Sequence, residues 1–397
     1  MTAPHRAMFL AGGSWAIVAV VAVAPETGFD LARSPLGGLS AWHAHEMAFG
    51  VAAALFAGYA LTAMTSWPGR ARLSSAGLAA LVVLWVLARL SAAGALGPDL
   101  RLAAPASVSF MAFLTLILAR SVLRSRTMRA APLALFSLAM TGSQVAVLTG
   151  ASPPHVPILG FAALLSVVGG RMVAAFTLNA LTVSEAQKRR FRIAGVFGRL
   201  GSVTILAALC LETLRAAPDW LAACLLLAAA FETVRVYLWL FWEILTDGLL
   251  LMLHAGYAWL PIGLALLAIG KVPGSLLLES AALHGLAAGA IACSIYAVAA
   301  RAVARRGDRL RTSPADATGF GLLWAAAAWR VVTPAGSHWD AAAPALWCLA
   351  WAIFLVRHGA ALFSPAPRPV FSGPKRPDLR RNDSGDYPMT AERSEAS

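Results

Sequence analysis

Charge is what this sequence has least of. Asp, Glu, Lys and Arg make up 13% of its 397 residues, about half the share of an ordinary soluble domain. With 59% hydrophobic residues and a mean hydropathy of +0.70, water is not the main solvent. Cysteine is scarce as well. Cys210, Cys224, Cys293 and Cys348 all fall inside apolar runs with no Cys-x-x-Cys pairing, which argues against a disulfide framework or a zinc site and for small apolar fillers. No Walker loop, no Cys-x-x-Cys-His element and no soluble redox or ATP-binding domain is found, so ATP-driven transport by this chain alone is not indicated.

What the sequence has in abundance is long apolar runs. A spanning helix needs about 20 mostly apolar residues. Such runs recur here, continuously apolar rather than alternating, which implies helices and not a barrel. The expected spans are Met8–Ala24, Ala44–Thr65, Ser74–Leu96, Leu102–Leu123, Ala130–Thr149, His155–Leu181, Ile193–Leu214, Trp220–Val236, Gly248–Gly270, Ser275–Ala300, Ala315–Val332 and Ala341–Phe363. The fold class is therefore all-α, a polytopic transmembrane helical bundle of about 12 helices over residues 1–363. From Ser364 the chain turns rich in Pro, Ser, Arg and Asp, and 364–397 is expected to be a disordered cytoplasmic tail. Around Arg235–Asp247, aromatic and charged residues mix, as suits a segment lying at the interface.

The net charge of +13 does not point to nucleic acid, because the arginines flank apolar runs instead of forming one soluble face. They read as topology signals. Alternate loops carry Arg70 and Arg72, then Arg120, Arg124, Arg126 and Arg129, then Lys188, Arg189, Arg190 and Arg192, then Arg301, Arg305, Arg306, Arg309 and Arg311. Those loops and both termini are expected in the cytoplasm. Met8–Ala24 also reads as a signal peptide, with Arg6 before it and Ala22-Val23-Ala24 at its end; its removal leaves the later orientation unchanged.

The most unusual local feature is Trp42-His43-Ala44-His45-Glu46-Met47, at the outer entry to the second span. Imidazole, carboxylate and thioether all ligate transition metals, and imidazole with thioether suits copper or haem iron. On a helix, residues two apart point to different faces, so His43 and His45 do not grip one ion together. Further along, Gly169-Gly170-Arg171 lies deep in the sixth span. A charge there costs at least ~2.5 kcal/mol, so Arg171 is expected to face the interior and meet an anion or carbonyl, such as a haem propionate, a substrate anion, Glu46 or Glu232. His254 and His284 are also intramembrane, and each is surrounded by small residues that suit a haem face or plain helix packing. At 1.5 Å per residue, His284 lies roughly 14 Å and His254 roughly 24 Å below His45, so one haem plus one separate metal fits better than a single cluster. His5, His155, His338 and His358 lie at span ends or in loops and read as interfacial anchors, His155 also as a member of an outer metal site.

Several stretches resemble the NnrS family in order and spacing. They are Trp42 to Gly50, Ala57-Gly58-Tyr59-Ala60-Leu61-Thr62-Ala63, Gly169-Gly170-Arg171-Met172, Phe176 to Leu181, His254 to Pro261, and His284 with Gly289-Ala290-Ile291. The resemblance implies a bacterial cytoplasmic-membrane protein of about twelve helices that contains haem and copper and acts in the response to nitric oxide. Carried over by position, His43, His45, Glu46, Arg171, His254 and His284 match motif positions, with Met47 beside them. The chain departs from the family after the tenth span, where Ala299-Ala300-Arg301 and Arg305-Arg306-Gly307-Asp308-Arg309 stand in place of Met-Thr-Arg and Gly-His-Thr-Gly-Arg. It also has Ala174-Ala175 and Leu178 where the family tends to show Pro and Arg. A divergent member holding part of the metal content is implied.

Two other classes compete with that reading. A transporter or metal-handling permease would use Arg171, Glu46 and the histidines to line a path, and an assembly partner of a respiratory complex would carry no cofactor. Whether the chain is an enzyme, and in what oligomeric state it works in the bilayer, are left open by its residues.

The charge asymmetry generates a first prediction. In a cysteine-free background, Arg190→Cys is expected to react with an impermeant thiol reagent only after cells are opened, and Asp340→Cys in intact cells. Labelling of position 190 from outside would reverse the orientation.

Overall fold

The structure is a computed structural model that describes residues 4–24, 34–65, 67, 73–126, 128–275, 277–306, 309–333 and 340–360. The tail from Ser364, the loop arginines Arg33, Arg70 and Arg72, and His338 lie outside the described residues.

Helical rods occupy every expected position: α1 Pro4–Val21, α2 Leu39–Met64, α3 Ser75–Ala92, α4 Leu100–Ser125, α5 Ala131–Leu148 and α6 Val156–Ala180, succeeded by α7 Glu185–Thr213, α8 Pro218–Trp239, α9 Gly248–Gly270, α10 Glu279–Val303, α11 Pro314–Val332 and α12 Ala342–His358. Among the described residues, nine of these, α2 to α10, have the length and apolarity to cross a membrane. The expectation of about twelve spans is met for nine; α1, α11 and α12 are helical but lack the length or apolarity to cross. A two-residue antiparallel ladder pairs Arg305 with Leu310 after α10.

Local chemistry sets the helix starts. Ser184 opens α7 with a capping box, its side chain accepting from Gln187 N while the Gln187 side chain accepts from Ser184 N. Asp247 caps α9 by accepting from Leu249 N and Leu250 N. Both caps satisfy backbone donors that have no partner within the helix. The mixed segment near Arg235 is resolved by α8 running on to Trp239. Arg235 therefore belongs to the spanning helix, and only a short 3₁₀ turn at Trp242–Thr246 lies beyond it, with Tyr237 and Trp242 exposed.

The inner layer consists of α2, α9 and α10, whose apolar stretches are 83%, 67% and 78% buried, against 33% for α5, α7 and α8. Helices α9 and α10 approach closely through glycine. A Cβ on Gly263 would sit 2.8 Å from Leu286 N, and one on Gly256 would sit 3.0 Å from Ser294 N. Such contact lets backbones meet where no hydrophobic force drives helix association. It also fixes the antiparallel register, with Gly263 level with Leu286 and Gly256 with Ser294.

Three rods contain a π-helical stretch: Glu46–Ala52 in α2, Leu165–Gly169 in α6 and Gly285–Ala292 in α10. Each extra residue in a π turn rotates the rest of the helix by about 100° relative to a continuous α-helix, and such bulges concentrate at functional sites.

Candidate functional site

His45 and Glu46 sit at the start of the π stretch in α2, fully buried. Glu46 accepts from Trp15 Nε1 of α1 at 2.6 Å and from His45 Nδ1 at 2.8 Å, and pairs with Arg89 Nε of α3 at 3.2 Å. Gln144 of α5 donates its amide to His45 Nε2 at 3.1 Å and to the Ser107 carbonyl at 3.1 Å. That donation leaves the proton of His45 on Nδ1, an assignment made from the network. Both ring nitrogens are then engaged, and this half of the Trp-His-x-His-Glu-Met element is held in an ion-pair cluster inside the bundle.

His43 turns the other way, as its two-residue spacing from His45 requires. Its Nδ1 lies 3.3 Å from the Ala19 carbonyl. In α10, His284 Nδ1 lies 2.6 Å from the Ser280 carbonyl. A carbonyl only accepts, so in both rings Nδ1 carries the proton and Nε2 keeps its lone pair, the tautomer that suits a metal ligand held by an outer hydrogen bond. The two imidazoles lie close enough to feel each other's charge, with Arg330 acting on both and Asp340 on His284. Met47 comes about one turn after His43 and is partly buried against the apolar cluster of Ala19, Ala22 and Trp42.

The expected pairing of His254 with His284 needs correcting. The glycine contacts between α9 and α10 put about eleven residues, roughly 16 Å of helix rise, between the levels of the two rings. That exceeds the 10 Å expected from the sequence, while His284 lies within electrostatic reach of His43. His254 is buried, with Nε2 2.9 Å from Thr177 Oγ1 and its ring edge-on to Trp239 at 5.9 Å. Thr177 also donates to the Val173 carbonyl at 2.9 Å, so its single proton is used and Nε2 of His254 is the donor between them. The Nδ1 lone pair is then buried with no hydrogen-bond partner among the described residues. An imidazole nitrogen in that state has the donor chemistry of a haem or copper ligand.

Arg171 does not face the interior. It lies exposed on α6, its Nε donating to the Val167 carbonyl of the preceding turn at 2.9 Å. Neither Glu46 nor Glu232 is its partner. The interior charge is Arg235, 4% exposed, which donates through Nη1 to the Ser166 carbonyl at 2.9 Å and to Tyr257 Oη at 2.8 Å and pairs with Glu232 at 3.4 Å. Tyr257 in turn donates to Glu232 at 2.9 Å, and Ser166 makes a short bond to the same carboxylate. A Cβ on Gly170 or on Gly198 would collide with the Arg235 guanidinium. Gly170, next to Arg171, therefore makes room for a different arginine. The π turn at Leu165–Gly169 explains the exchange, because its extra residue turns Gly170 inward and Arg171 outward.

Sequence reading passed over Arg89 and Arg235, although the penalty argued for Arg171 applies to any arginine inside an apolar run. Arg301, read as a loop signal, is also buried, with its guanidinium 4.3 Å over the Phe176 ring.

At the opposite end of the bundle from Arg301, His155, Glu212 and Glu279 bring one ligand atom each within 4.8 Å of one another, the one such group among the described residues. Lys271 already stands among them, 3.2 Å from Glu212 and 2.7 Å from Glu279. Burial opposes the Lys271 charge, but the hydrogen bond to Glu279 and the fields of Glu212 and Glu279 outweigh it and hold the ammonium above its usual range. The ammonium takes the position a cation would occupy, so the cluster is an ion-pair clasp joining the ends of α6, α7, α9 and α10.

A family model described as NnrS protein matches residues 1–366. No curated protein matches the chain.

These clusters generate two predictions. Removing Arg235 strands the Glu232 carboxylate in the bundle, a loss of the order of ~3–5 kcal/mol. Arg235→Leu is thus expected to collapse the yield of monodisperse protein, while Arg171→Leu retains it; equal yields of the two in size-exclusion chromatography would refute the assignment. Lys271→Met leaves Glu212 and Glu279 facing each other, and is expected to lower Tm by several degrees, by about 2–4 °C per kcal/mol lost. Zinc should restore it, while wild-type Tm ignores zinc. Because the folded pKa of Lys271 is raised, its contribution is full at neutral pH and fades only in alkali, above the lysine range near 10.4.

Proposed function

Because this chain belongs to the NnrS family, we propose that it is a haem-binding, copper-binding integral membrane protein of the nitric oxide and nitrosative stress response, in the bacterial cytoplasmic membrane. The observation that carries the cofactor reading is the buried Nδ1 of His254, a lone pair with no hydrogen-bond partner among the described residues, on a ring whose other nitrogen is held by Thr177. His254 would ligate the haem iron. His43 and His284, each anchored through Nδ1 to a carbonyl, would hold copper through Nε2, with the Met47 thioether beside them. Haem iron supplies tight, reversible binding of nitric oxide, and the protein positions the ring, excludes water and sets the ligand tautomer. Arg171, exposed on α6 and without an ion pair among the described residues, is proposed to meet a haem propionate or another anion from outside the helix bundle.

The competing permease reading draws on the interior charges Glu46, Arg89, Glu232 and Arg235, since such groups mark transport paths. Here Glu46 is ion-paired with Arg89, and Glu232 with Arg235 and hydrogen-bonded by Tyr257, which favours structural service.

Detergent-purified protein is expected to show a haem absorption band and to contain copper. His254→Ala should lose the band, His43→Ala and His284→Ala should lose copper and keep the band, and His45→Ala should lower yield more than either cofactor. Wild-type protein without haem and copper would sink this reading in favour of the permease. Loss of haem in His284→Ala but not in His254→Ala would overturn the division of ligands.

A further inference from the structure

Where α2, α6 and α10 meet lies a cavity of about 80 Å³. Phe56, Leu165, Val168, Gly169 and Ile291 supply much of its wall. Leu165, Val168 and Gly169 belong to the π stretch of α6 and Ile291 to that of α10, while Phe56 stands one turn beyond the π stretch of α2. The π turns of α6 and α10 meet here and account for the gap, because a widened turn breaks the regular interlocking of side chains.

The wall chemistry selects the occupant. Apart from the Tyr59 phenol, the only polar side chain lining the space is Ser294, 6% exposed, whose hydroxyl has no hydrogen-bond partner among the described residues. The cavity has several times the roughly 10–15 Å³ that a water needs, but a buried water also needs two to four polar partners, and in this wall the Tyr59 phenol and the Ser294 hydroxyl are the whole side-chain supply. Apolar cavities of this size stay dry and bind small apolar solutes. A haem is excluded by volume and by the lack of any histidine in the wall. An orphan hydroxyl in hydrocarbon suits a molecule that is nearly apolar and accepts one hydrogen bond.

We propose that this cavity is a binding site for a small uncharged gas of the diatomic class, oriented by the Ser294 hydroxyl. The proposal deepens the nitric oxide reading and rests on it only for the identity of the gas. Tyr59 and Met172, both partly buried, give the chamber an edge nearer the surface of the bundle, through which a solute dissolved in lipid enters. On the inner side the wall backs onto α9: a Cβ on Gly169 would lie 3.8 Å from Tyr257 Cε2, and Ser294 N lies against Gly256. Those α9 residues are within one turn of His254, so a bound gas is stored beside the helix that carries the proposed haem ligand.

Xenon is the probe, since it matches a diatomic gas in size and needs no cofactor. Full-length protein in lipid nanodiscs is read by xenon-129 saturation transfer, and pressurised crystals by anomalous density. Wild-type protein is expected to bind one xenon between α2, α6 and α10. Val168→Phe, which fills the space, should weaken binding by about tenfold or more, and Val168→Ala should retain or strengthen it. Ser294→Ala should leave xenon unchanged but reduce, by about threefold, the ability of nitric oxide to displace it under anaerobic conditions. No xenon in either wild type or Val168→Ala, undiminished xenon in Val168→Phe, acyl-chain density filling the space, or failure of nitric oxide to compete would each overturn the proposal. The haem spectrum of the same sample is recorded separately, so loss of the cavity and loss of the haem reading are told apart.

Discussion

A charge inside an apolar bundle has to find its counter-charge and hydrogen-bond partners within the protein, because the surrounding lipid offers none. That constraint organises this molecule through two clusters. Glu46 of α2 gathers Trp15 of α1 and Arg89 of α3, and reaches Gln144 of α5 through His45. Arg235 and Glu232 of α8 gather Ser166 of α6 and Tyr257 of α9. Each cluster fixes both the neighbours of a helix and its rotation. Breaking either by removing one member is far more damaging than the net strength of the pair suggests, since the remaining charge stays buried. Rotation fixed in this way decides that His45 is consumed by the network while His43 is left over with a bare Nε2.

Small residues and irregular turns do the rest. Gly170 and Gly198 leave the volume that the Arg235 guanidinium fills, and Gly256 and Gly263 let α9 and α10 meet backbone to backbone. The π stretches then change helix phase midway along α2, α6 and α10, so residues adjacent in sequence serve different regions. Gly170 supports an interior charge while Arg171 looks outward. The same irregularity leaves the apolar chamber beside Ser294. The three histidines proposed as ligands, His43, His254 and His284, lie on the most buried rods, α2, α9 and α10, where packing holds a ring more rigidly than a loop would.

Residue composition alone determined the solvent, the all-α class, the place of every helix and the residue types able to hold a metal, because those depend on local apolarity and on donor chemistry. The two-residue spacing of His43 and His45 also settled that they diverge. Tertiary structure decided the rest: that Arg89, Arg235 and Arg301 are buried while Arg171 is not, that His254 and His284 lie at different levels, and that Lys271 already fills the one His and Glu cluster found among the described residues. The reason is physical. A spanning helix is apolar on nearly all sides, so its sequence carries little signal of which face turns inward, and a π turn resets the phase of whatever signal remains. The choice of face is made by ion pairs and glycine contacts between residues far apart in the chain, as with Ser166 and Arg235 or Gly263 and Leu286, and those exist only once the helices have met.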